Sequence, residues 1–257
     1  MRAGILPALF LFIYSSFHPS PMKKILSVCI CICSICYLVK AQQQCENVLY
    51  TFKEGATHEF SDYNKKGKQA GHTTFILSDI SAGDSVLTGQ LKKTSYDEKD
   101  KQLASADLTL KCRNGEALID MESVVSEKQL ESYRNGEFRI INQDLLLFPN
   151  VLEVGAKLNN GKLSAELDSD GTKVGKLLYE ITERLVQAKE SVTVPAGTFD
   201  CYKISTKVHS ITTIAGVNLN YDYVLIEWYA YGIGLVRSET YKKGTLETYS
   251  TLTKLSK

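Results

Sequence analysis

Proline is nearly missing from this chain: five in 257 residues, and only Pro149 and Pro195 beyond the first 21. Together with a composition that is 44% hydrophobic and 23% charged, that scarcity excludes a collagen-like, polyproline or largely disordered protein. After Gln42 no apolar run approaches the ~20 residues of a membrane-crossing helix. A surplus of positive charge is missing too. Arg2, Lys23, Lys24 and Lys40 hold four of the 30 basic residues, so the part after residue 41 carries 26 basic against 29 acidic residues, net −3. Bulk electrostatics therefore exclude a nucleic-acid binder.

Catalytic and metal-binding motifs are equally absent. The sequence has no GxSxG elbow, no Walker loop, no GxGxxG after a strand and no HExxH. Asp168-Ser169-Asp170-Gly171 resembles half of a calcium loop without the third acid and terminal Glu, so a plain turn is expected. His58, His72 and His209 lack ligand spacing and read as solvated strand residues. No catalytic residue, metal ligand or cofactor is assigned, and the chain reads as a non-enzyme.

What is present begins with an export signal. From Met22 a basic pair (Lys23, Lys24) precedes an apolar stretch from Ile25 to Val39, and Val39-Lys40-Ala41 has the form of a cleavage site before Gln42. The expected biological start is Met22, residues 1–41 are expected to be removed, and 42–257 are read as a single exported domain. The expected location is periplasmic or extracellular. No small residue precedes Cys33, Cys36 or Cys45, so a lipid anchor is not expected.

Cys29, Cys31, Cys33 and Cys36 are apolar filler of the signal. Cys45, Cys112 and Cys201 remain, enough for one disulfide in an oxidising compartment, with three pairings open. Cys45 precedes the first strand and Cys112 closes a later one. Cys201 sits mid-strand, where a buried small hydrophobe is usual, so Cys45–Cys112 is the preferred pairing.

One turn pattern repeats. Asn64-Lys65-Lys66-Gly67, Val194-Pro195-Ala196-Gly197 and Tyr241-Lys242-Lys243-Gly244 each place Gly fourth, where a type I turn followed by a left-handed residue makes a three-residue hairpin loop. Asp97-Glu98-Lys99-Asp100 repeats it with Asp100 in the left-handed place. Between turns the apolar residues alternate. Asp222, Val224, Ile226 and Trp228 fall on one face, and Tyr221, Tyr223, Leu225 and Glu227 on the other. The expected fold is all-β: a strongly curved antiparallel meander or open β-barrel. One short helix is expected over 123–134, with Ser126 and Gln129 at capping-box spacing. Residues 150–175, which hold Gly155, Gly161, Gly171 and the pair Asn159-Asn160, are expected to be rich in loops.

The C-terminal third is aromatic. Cross-strand packing is the ordinary reading of such a stripe. The sharper reading makes Tyr223, Trp228, Tyr229 and Tyr231 the wall of an apolar concavity in a bent sheet.

Several segments carry a family resemblance. Phe52-Lys53-Glu54-Gly55, Ser61-Asp62-Tyr63-Asn64-Lys65-Lys66-Gly67, Cys112-Arg113-Asn114-Gly115, Val194-Pro195-Ala196-Gly197-Thr198-Phe199 and Glu227-Trp228-Tyr229-Ala230 resemble exported proteins of Bacteroides-type bacteria. These are similar to the domain of unknown function 3108 group, also labelled TapB-like. The resemblance implies an exported all-β domain with a curved sheet, like that of lipoprotein carriers, and supplies no catalytic residues. Asp100, where that group has Gly, and the stretch after Met121 depart from it.

Three functions follow in order. The first is an exported β-protein that binds an apolar or lipid-like envelope ligand. The second is an envelope scaffold that meets a partner protein through an edge or loop. The third is a hydrolase with two carboxylates drawn from distant strands. Expressed with its leader in an exporting host, the mature protein is expected to begin at Gln42 by N-terminal sequencing. An intact leader would contradict that.

Overall fold

A computed structural model describes residues 45, 48–83, 85–125, 137–169 and 171–256. The expected signal and the 126–134 part of the expected helix lie outside them. Thirteen strands are present: β1 Thr57–Asn64, β2 Gln69–Ala82, β3 Val86–Asp97, β4 Gln102–Arg113, β5 Glu116–Asp120, β6 Glu137–Gln143, β7 Leu145–Phe148, β8 Gly161–Ser169, β9 Thr172–Val194, β10 Gly197–Ile214, β11 Val217–Ala230, β12 Gly234–Lys242 and β13 Thr245–Ser256. They form one antiparallel sheet in the order 6-8-9-10-11-12-13-1-2-3-4-5-7, the curved, nearly closed barrel expected from the alternation.

Consecutive strands pair because tight turns join them. In the Asn64 loop the side-chain oxygen accepts from the N–H groups of Lys66 and Lys68, and Gly67 takes a φ of 73°. Asp97 repeats this with Lys99 and Lys101, and Asp100 takes a φ of 60°. The same two donors hold the Asp97 carboxyl below its ordinary value. The other two turns are tighter than expected. Val194 pairs directly with Gly197, leaving Pro195-Ala196 as a two-residue loop. Lys243 and Gly244 both have positive φ, the mirror-image turn whose twist suits a two-residue hairpin.

Alternate hairpins fall at alternate ends of the barrel. The Asn64, Asp97 and Lys243 turns share one end. The Asn114, Pro195 and Gly232 turns share the other, which is crossed by the segment preceding β1. There Gly232 donates to Val48 O at 2.9 Å and Gly55 to Leu77 O at 2.8 Å, while Val48 and Leu49 are buried. This strap is fastened by a disulfide between Cys45 and Cys112, whose Cα atoms are 6.1 Å apart. Cys201 is free and buried, and burial first, then the Asp200 and Glu190 carboxylates, push its thiol up to about 11.

β6 and β7 are consecutive in the chain yet lie at opposite edges of the sheet, β6 on β8 and β7 on β5. Asp144 joins them. Its N–H donates to Lys162 O at 2.9 Å, its carboxylate accepts from Lys162 N–H at 2.9 Å, and its carbonyl accepts from Met121 N–H at 3.3 Å. One stretch of chain thereby draws the two edges together. Gly161 permits the approach, because a Cβ there would lie 2.5 Å from Met121 Sδ and 2.7 Å from Leu146 Cδ2.

Two expectations need correction. Residues 161–169 and 172–175 are strand rather than loop. Their glycines serve close packing: a Cβ on Gly175 would lie 2.4 Å from Thr213 O. The described helical segment is a 3-10 turn, Met121–Val124, which extended Val125 ends, so no longer helix starts at Ser123.

The main core joins β5, β7, β8, β9 and β10 through Ala117, Leu146, Phe148, Leu163, Leu177, Tyr179 and Ile204. A second cluster, including Val194, Cys201, Trp228, Val236 and Leu252, seats the β9–β10 tip, where Ala196 donates to Leu252 O at 3.2 Å. Cys45 and Cys112 are 67 residues apart, so losing their bond should cost up to about 4 kcal/mol in the chain-entropy model. Urea melts of the Cys45→Ala/Cys112→Ala variant are expected to show a loss of that order. An unchanged midpoint would contradict the role given to the strap.

Candidate functional site

The main core fills one side of the barrel, and protein atoms leave a cavity of about 290 Å³ on the other. Strand register shows how its wall is built. Leu77, Leu91 and Leu108 stand side by side across β2, β3 and β4, and His58, Phe75 and Lys93 across β1, β2 and β3. On the facing wall Leu225, Glu227 and Tyr229 alternate along β11, with Ser238 of β12 opposite Glu227. Tyr50 of the strap lines the cavity and packs edge-on to Tyr229 and Phe148.

Glu227 is the unusual member of this wall. Part of its surface is uncovered on the cavity wall, and burial among the barrel strands desolvates the carboxyl. That desolvation raises its proton affinity above the ordinary glutamate range. The Arg184 charge and a side-chain hydrogen bond with Tyr229 oppose the shift without cancelling it. Burial is also the main cause of the upward shifts at Tyr50 and Tyr229, with the Glu227 charge adding to both.

Arg184 reaches the interior through a bulge. Thr182 pairs with Lys207 and Leu185 with Ser205, so Glu183 and Arg184 together oppose Thr206, and Glu183 takes a φ of 50°. The inward set on β9 shifts from Leu177, Tyr179 and Ile181 to Arg184 and Val186. Arg184 is 3% exposed, and its guanidinium lies 4.7 Å from the Phe148 ring centroid and donates to the Asn159 carbonyl and side-chain oxygen at 3.0 Å each. Burial lowers its proton affinity, opposed by Tyr229, Glu227 and Tyr50.

Of the four aromatics read as a ligand wall, the structure places Tyr229 on the cavity. Tyr223 is aimed inward but sits in the main core, its hydroxyl 2.6 Å from that of Tyr179. Burial pushes Tyr223 up to about 12. Trp228 points the other way on the pleat, where it donates to Glu190 and lies near Lys203 and Arg237. The Tyr231 hydroxyl accepts from Leu152 N–H at 2.7 Å. His58 also departs from expectation, since it lines the cavity rather than facing solvent. His72 stacks on Tyr96 at 4.4 Å, and His209 contacts Asp222 at 2.7 Å. Among the described residues no three His, Cys, Asp or Glu side chains are grouped to hold a metal ion.

Sequence reasoning missed Glu227 and Arg184. Glu227 had a signal: it is the one charged residue in the inward series Tyr223, Leu225, Glu227, Tyr229. Arg184 had none, because a bulge breaks the alternation that would reveal it.

A family model described as DUF3108-like matches residues 53–252. The chain belongs to the DUF3108-like family. That match takes in the whole DUF3108-like cavity wall from His58 to Ser238 and leaves out Tyr50 and Thr51 of the strap. Two solved structures share the fold. One, from Bacteroides fragilis, is described as an exported protein with a YmcC-like fold: TM-score 0.68, 23% identity, covering 82% of this chain and 100% of that one. The other, from Parabacteroides distasonis, is described as a lipoprotein: TM-score 0.69, 20% identity, covering 82% and 99%. No curated protein matches this DUF3108-like chain.

The raised Glu227 carboxyl has a pH consequence. Below the ordinary value of about 4.5 the group is protonated folded or unfolded, so its full contribution to stability is present. As pH rises through the raised native value the fold must hold a desolvated charge, and that contribution is lost. The melting temperature of Glu227→Gln relative to the native protein should therefore climb from pH 4.5 to 8. A constant or falling difference would contradict the shift.

Proposed function

We propose that this protein is an exported, non-enzymatic β-barrel that binds one small apolar ligand in its interior cavity. The observation that carries the reading is the cavity itself, about 290 Å³ with a leucine-rich wall. That volume is at the lower end of the ~300–1,000 Å³ of small-molecule sites, the size of one chain or ring system and not of a whole two-chain lipid. Apolar wall left without packing partners forgoes the contacts that a filled core would make. A barrel serving only as a scaffold would gain by filling the space, as the main core does on the opposite side.

Export is supported by the signal-like residues 22–41 and by relatives described as an exported protein and a lipoprotein. Cys45 is joined to Cys112, which supports a mature chain from Gln42 without a lipid on that sulfur.

The uncharged fluorophore N-phenyl-1-naphthylamine should bind saturably, one per chain. Leu91→Trp or Leu108→Trp, which fill the cavity, should weaken it at least tenfold while melting near the native temperature. Binding that does not saturate, or that both substitutions leave unchanged, would overturn the reading.

A further inference from the structure

The polar groups of the cavity differ in how they meet water, and that difference selects a ligand. Lys93 stands on the β3 wall with its ammonium 5.8 Å from the Phe75 ring centroid, and the residue is half-buried. A lysine stem is long and flexible enough to carry its ammonium past apolar surface toward water. Glu227 stands on the opposite wall, half-buried as well, but with its carboxyl desolvated by the strands around it. Tyr229 beside it, Arg184 behind it and Ser238 across from it are its polar surroundings, with Tyr50 closing the strap side and Lys93 and His58 across the cavity. A carboxylate can accept about four hydrogen bonds, and desolvation makes each unmet one expensive. The group with most to gain from a ligand is therefore the desolvated acceptor on the β11 wall.

Resting on the cavity reading above, we infer that the ligand is a small amphiphile whose polar end is a hydrogen-bond donor, an amine or a hydroxyl. It seats on the Glu227 carboxyl with its apolar body against Leu77, Leu91, Leu108 and Leu225. A donor at this site meets a charged acceptor away from bulk water, which corresponds to roughly tenfold to hundredfold in affinity. An acid-headed ligand of the same length places like charge beside Glu227 and leaves the acceptor unmet.

The test uses octylamine, 1-octanol and octanoate at pH 7, each displacing N-phenyl-1-naphthylamine from the full mature protein. Native protein should bind octylamine tightest, octanol next and octanoate at least tenfold more weakly than the amine. Glu227→Gln should erase the advantage of the amine over octanoate. Tighter binding of octanoate than octylamine would overturn the inference and place the polar end at Lys93 and His58. So would an amine preference that survives Glu227→Gln. If that variant does not fold, the order of the three probes on native protein decides alone. Saturable fluorophore binding without any head-group order defeats this inference and leaves the cavity reading standing. Absence of saturable fluorophore binding defeats both.

Discussion

An antiparallel sheet of thirteen strands has two edges, and here twelve consecutive residues, Glu137 to Phe148, supply both of them. Asp144 is the pivot, bonded through its N–H and carboxylate to Lys162 on one side and through its carbonyl to Met121 on the other. The crossing forces the sheet to curl until its edges nearly meet. Curling in turn gives the inward faces of β1 to β4 and β11 to β12 a common interior. Unpaired strand edges invite pairing with other chains, and drawing the two edges together reduces that hazard.

The interior is filled unevenly for a local reason. On the side of β5, β7, β8, β9 and β10, large side chains meet across short distances set by Gly161 and Gly175. On the other side, leucines of β2, β3 and β4 face Leu225, Glu227 and Tyr229 without interlocking, and the strap residue Tyr50 bounds the gap. The disulfide ties that strap to β4, so the oxidising compartment read from the leader and the closure of the barrel belong to one account. Glu227 faces this space partly compensated by Arg184, which the β9 bulge turns inward.

Much of the architecture was legible in the sequence. Alternation identified the strands, and the faces assigned along 221–228 are those of the folded β11. Asn64 and Asp97 marked their loops because a side-chain acceptor and a left-handed fourth residue are both local properties. The edge crossing was not legible, since it depends on which distant strand each half of 137–148 meets. Glycines at 155, 161 and 171 suggested loops; Gly171 does sit in a turn, but Gly161 serves close packing, and spacing alone cannot separate the two uses. The site was read through its aromatics, and Tyr229 is on the cavity wall. The more informative residue was the carboxylate in an apolar series, whose meaning depends on enclosure by strands far away in the chain.

The central claim is that the barrel holds a real apolar space beside its packed core. Diffraction from crystals of the mature protein pressurised with xenon tests it most directly, because xenon enters apolar cavities and leaves packed interiors alone. The account predicts a xenon peak between Leu77, Leu91 and Leu108 on one wall and Leu225 on the other. Side chains of β2, β3 and β11 in mutual contact there, with no xenon between them, would contradict it.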